Sequence, residues 1–178
     1  MWFNQKKKCP ELSPSEFLST AILRLHDDAS KKGFANKGFI FHEGLLEMGN
    51  SFISEGLKSR PLHLQDESFY YSLATSNLQT GFVLARQACI NKESLLNGRF
   101  FESHADVESM YRELVVGLQT DLNISFKEWE NFRNYIIPTW SDIIRPYQNS
   151  SNLEAYKVKL LVAYYTLGIS IGLEKYEP

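Results

Sequence analysis

The chain has 178 residues, 43% hydrophobic and 22% charged, which excludes intrinsic disorder and fits a single domain with a sizeable core. A net charge of −2 gives no overall pull toward nucleic acid, and two cysteines, Cys9 and Cys89, are too few for a disulfide framework, so a reduced, cytoplasmic protein is expected. The charge is uneven: residues 1–37 hold seven Lys/Arg against four Asp/Glu, whereas residues 100–130 hold seven Asp/Glu against two Lys/Arg.

Residues 1–12 read as a basic N-terminal tail. Lys6, Lys7 and Lys8 have no apolar run behind them, so no secretory leader is expected, and residues 13–178 read as one helical domain. Ser13-Pro14-Ser15-Glu16 has the form of a capping box with proline at the first helical position. Phe17, Leu18, Ala21, Ile22, Leu25 and Ala29 follow at helical spacing, and Gly33 suits a left-handed cap. A second helix is expected from about Phe39 to Leu57, ended by Pro61, and a third from about Phe69 to Asn91, started by Asp66 or Ser68. The third carries the stripe Tyr71, Ala74, Leu78, Phe82, Ala85 and Cys89.

Ser103 can cap a fourth helix, with Val107, Met110, Tyr111, Leu114 and Leu118 on its apolar face. Ser125 and Glu128 form a second capping box, opening a fifth helix that should run toward Pro138. A short kinked helix and a loop are expected over 138–152. The last helix, about Leu153 to Lys175, is apolar all round, which places it in the centre of a bundle or between subunits. Its uncharged run, 160–173, is too short for a bilayer, which needs about 20 residues. No strand signal survives, so the fold class is all-α: a single-domain helical bundle of about six helices. FYYSLATSNLQTGF and AYYTLGISIGL share a Tyr-Tyr-x-Leu start, too little to establish a repeat.

Candidate chemistry is sparse. His42, Glu43 and Glu47 lie within six positions, but a helical wheel puts His42 on the apolar side and both glutamates on the polar side. Neither Glu-x-x-His nor His-Glu-x-x-His occurs. His26-Asp27 resembles the pair of the HD phosphohydrolases. That resemblance implies a metal-binding histidine upstream, yet His26 is the first histidine in the chain. His63 and His104 are dispersed, and neither a nucleophile elbow nor a phosphate-binding glycine loop is present. No catalytic set, metal site or cofactor is therefore assigned.

Two features favour interaction. Glu102, Asp106 and Glu113 fall within about 40° on the fourth helix, where like charges repel and a basic partner would be welcome. Helix-start electrostatics accounts for part of this acidity. Trp129, Phe132, Tyr135 and Trp140 cannot all share one face, so any left exposed would suit a hot spot. Gly168-Ile-Ser-Ile-Gly172 is a small-xxx-small stripe that lets helix backbones come close, either within the chain or across a homodimer. The expected function is a non-enzymatic protein-interaction module (adaptor, inhibitor or immunity-type protein) with a protein partner, no nucleic acid and no membrane. The alternatives are a small helical metal-binding protein or enzyme using scattered His and carboxylates, and a helical regulator binding a small apolar ligand.

Overall fold

A computed structural model describes residues 11–33, 51, 53, 57, 66–90 and 126–176. Among them the regular structure is all helical: α1 (Pro14–Lys31), α2 (Glu67–Ile90), α3 (Phe126–Ile144), a 3₁₀ turn (Arg145–Tyr147) and α4 (Leu153–Tyr176). Ser51, Ile53 and Leu57, in the segment expected as the second helix, are helical, and Ile53 is buried. The expected fourth helix lies outside the described residues, as does the capping box at Ser125. No helix among the described residues is long and apolar enough to cross a membrane.

Local chemistry starts α1 and α2 at the caps the sequence predicts. The Glu16 N–H donates to Ser13 Oγ at 3.2 Å and the Ser13 N–H to Glu16 Oε2 at 2.8 Å, a reciprocal capping box. These bonds hold the Glu16 carboxyl below its ordinary range. All six predicted apolar positions of α1 are buried, and Gly33 ends the helix at φ +76°. Asp66 accepts the Phe69 N–H at 3.0 Å, capping α2. In α2, Ala74, Leu78, Phe82 and Ala85 are buried as expected. Tyr70, not Tyr71, completes the stripe: Tyr71 is half-buried, its hydroxyl held between Glu67 and Ser141.

The fifth predicted helix does not stop near Pro138; α3 continues to Ile144. Proline removes one helical bond, to the carbonyl of Asn134. Asn134, Ile137 and Pro138 are all exposed, so that carbonyl can meet water. Beyond the proline, Trp140, Ile143 and Ile144 are buried, and each such side chain contributes about 1.5–3 kcal/mol, enough to carry the helix past the defect.

The core is built around α4, whose residues 160–172 are all buried. Phe17 stacks on Tyr156 (4.5 Å between centroids) near the starts of α1 and α4, and Tyr147 meets both rings edge-on. α3 runs the opposite way, returning through the 3₁₀ turn to the start of α4. This end is fastened by Glu11, which accepts from Ser150 and Ser151 at 3.0 and 2.8 Å, and by the Tyr156 hydroxyl donating to Leu12 O. At the far end Tyr135 donates to Leu25 O at 3.3 Å.

Among the described helices, α2 and α4 make the most extensive contact, and they pack parallel. A Cβ on Gly81 would stand 2.1 Å from Tyr165 O and 3.0 Å from Ile169 N; one on Gly168 would stand 2.1 Å from Leu78 O and 2.9 Å from Phe82 N. Tyr165 and Ile169 lie three before and one after Gly168. Leu78 and Phe82 lie three before and one after Gly81. The crossing is thus locally two-fold, each glycine seated against the equivalent backbone of the other helix. Tyr70-Tyr71 precedes Gly81 by eleven residues and Tyr164-Tyr165 precedes Gly168 by four, so the shared Tyr-Tyr-x-Leu run is about two turns out of step with the pairing.

Candidate functional site

A buried hydroxyl pair, Thr139 and Tyr164, joins α3 to α4. Thr139 Oγ1 lies 2.9 Å from Tyr135 O, 3.1 Å from Ile136 O and 2.6 Å from the Tyr164 hydroxyl. Each hydroxyl brings one proton: either can donate across the 2.6 Å contact, and the other proton goes to a backbone carbonyl, for Tyr164 that of Ile136 at 3.4 Å. Burial drives the Tyr164 phenol well above its ordinary value of 10.0, against a smaller lowering by Thr139. Burial does the same to Tyr165, and to Tyr135, where the Asp28 carboxylate adds to the effect. These phenols stay protonated at neutral pH and serve as packing surfaces, those of Tyr135 and Tyr164 also as hydrogen-bonding groups, not bases.

Trp140, fully buried, stacks with Tyr70 (5.4 Å, 24°) and with Tyr164 (6.2 Å, 16°). Its indole Nε1 and the Ser170 hydroxyl are buried with no hydrogen-bond partner among the described residues. Sequence reading did not single out the Thr139–Tyr164 pair. The available signal was Pro138-Thr139 inside an apolar helical pattern, since a threonine hydroxyl can bond carbonyls three or four residues back.

The charged candidates of α1 are occupied. Asp27 pairs with Lys31 at 2.6 Å and Asp28 with Lys32 at 3.1 Å, both one turn apart on an exposed face, while the Lys32 ammonium lies 4.8 Å from the Tyr135 ring centroid. His26 is half-buried beside them. Among the described residues no group of three or more His, Cys, Asp or Glu is placed to hold a metal ion. His42, Glu43, Glu47, His63 and His104 lie outside the described residues, as do Cys9 and the Cys89 side chain.

Of the interaction candidates, Glu102, Asp106 and Glu113 also lie outside the described residues. Glu130, the last acid of the acidic stretch, is exposed at the start of α3. Tyr135 and Trp140 belong to the core, which leaves the side chains of Trp129 and Phe132, also outside the description, as aromatic candidates. Gly168 and Gly172, read as a possible contact with a second copy, are seated against α2 of the same chain. A Cβ on Gly172 would come 2.5 Å from Phe82 O and 2.9 Å from Ala85 Cβ. The two-fold helix pair that the stripe suggested is made inside the molecule.

Fold and site together define an all-α chain with a central helix, a two-fold helix crossing and a buried hydroxyl–aromatic cluster. The chain matches no family model, and no curated protein or solved structure shows significant similarity to it.

Proposed function

We propose that the chain is a non-enzymatic protein-interaction module of the adaptor, inhibitor or immunity type. It would be a single bundle of about six helices that offers an acidic surface to a basic partner in the cytoplasm. The observation that carries this reading is the concentration of acids in residues 100–130, seven against two bases, within a chain whose net charge is only −2. A local field of this kind steers and orients a partner of opposite charge. The exposure of Glu130 supports it, as does the commitment of Tyr135, Trp140 and Tyr164 to packing and carbonyl bonds.

The test is affinity capture from native lysate, reading partner mass, stoichiometry and metal content together. The variant Glu102→Gln/Asp106→Asn/Glu113→Gln then decides the role of the surface. Binding about tenfold weaker at low salt, with a shallower salt dependence, is expected. Unchanged affinity and salt dependence overturns the acidic surface, and stoichiometric iron, manganese or zinc in the purified protein overturns the non-enzymatic reading in favour of a metal-binding one.

Pairing of two copies is proposed alongside, through a face other than the Gly168–Gly172 stripe, which α2 already fills. Light scattering at micromolar concentration should return twice the chain mass of 20.5 kDa; a value of 20.5 kDa rejects the pair.

A further inference from the structure

We draw no further inference here: the strongest candidate, the buried Tyr70–Trp140–Tyr164 side-chain cluster with the unpartnered Trp140 indole N–H between α2, α3 and α4, has no cavity shown beside it among the described residues that would seat a ligand.

Discussion

Thr139 and Tyr164 form the most constrained polar contact at the scale of single residues. Each hydroxyl has one proton, and both are used within the cluster: one across the Thr139–Tyr164 contact, the other toward a backbone carbonyl of α3. Removing one partner of a buried pair exposes the desolvation penalty of the other. Tyr164→Phe should cost about 1–2 kcal/mol, and Thr139→Val about 1–3 kcal/mol, because it leaves the phenol with only the longer bond to Ile136 O. Thr139→Val combined with Tyr164→Phe should cost less than the sum of the two. Urea denaturation of the four proteins checks this, and strict additivity would mean that the two hydroxyls are not coupled.

The glycines act at the scale of elements. Substituting alanine in a helix interior ordinarily stabilises by roughly 0.5–1 kcal/mol. At Gly81 and Gly168 the new methyl would stand 2.1 Å from a carbonyl oxygen of the facing helix. No rotamer change relieves a clash with backbone, so the helices must separate and lose packing along their length. Overpacking costs about 1–3 kcal/mol in ordinary cores, and this site belongs at the upper end. Gly81→Ala and Gly168→Ala should each lower stability by about 2 kcal/mol or more after the propensity gain. Leu23→Ala, at a side chain 68% exposed, should stay within about 0.5 kcal/mol and serves as the control. A thermal midpoint for Gly168→Ala at or above that of the parent would refute the close crossing. The continuity of α3 through Pro138 illustrates the same scale: an exposed defect is tolerated when the turns beyond it bury Trp140, Ile143 and Ile144.

Buried phenols act on the stability of the whole molecule at alkaline pH. In the folded chain Tyr135, Tyr164 and Tyr165 hold their protons above the ordinary value of 10.0, chiefly because burial penalises tyrosinate. A raised folded-state pKa means that the unfolded chain releases these protons first. The resulting stability is fully present below about pH 10 and is lost as pH rises beyond it. Unfolding above pH 10 should therefore coincide with a cooperative gain of tyrosinate absorbance from the buried tyrosines. If the helical signal survives at a pH where all nine tyrosines have ionised, this account fails.

Elements whose signals are local were legible in the sequence. The capping box at Ser13, the apolar face of α1, the left-handed Gly33 and the all-round burial of α4 follow from neighbours within one or two turns, where cap bonds and 3.6-residue periodicity operate. The site was less legible. The sequence identified Tyr135, Trp140 and the glycine stripe as special, yet it left open whether they faced a partner or the core. That choice belongs to tertiary structure, because a helix pattern states which residues avoid water and not what excludes it. Three-dimensional packing moved the second buried ring of α2 from Tyr71 to Tyr70, ran α3 past Pro138, joined Thr139 to Tyr164, and turned Gly168 and Gly172 inward onto α2. Each outcome depends on a contact between residues far apart along the chain. The sequence by itself determined an all-α chain with a buried last helix; only the packing of α2, α3 and α4 against one another decided which faces that burial consumed.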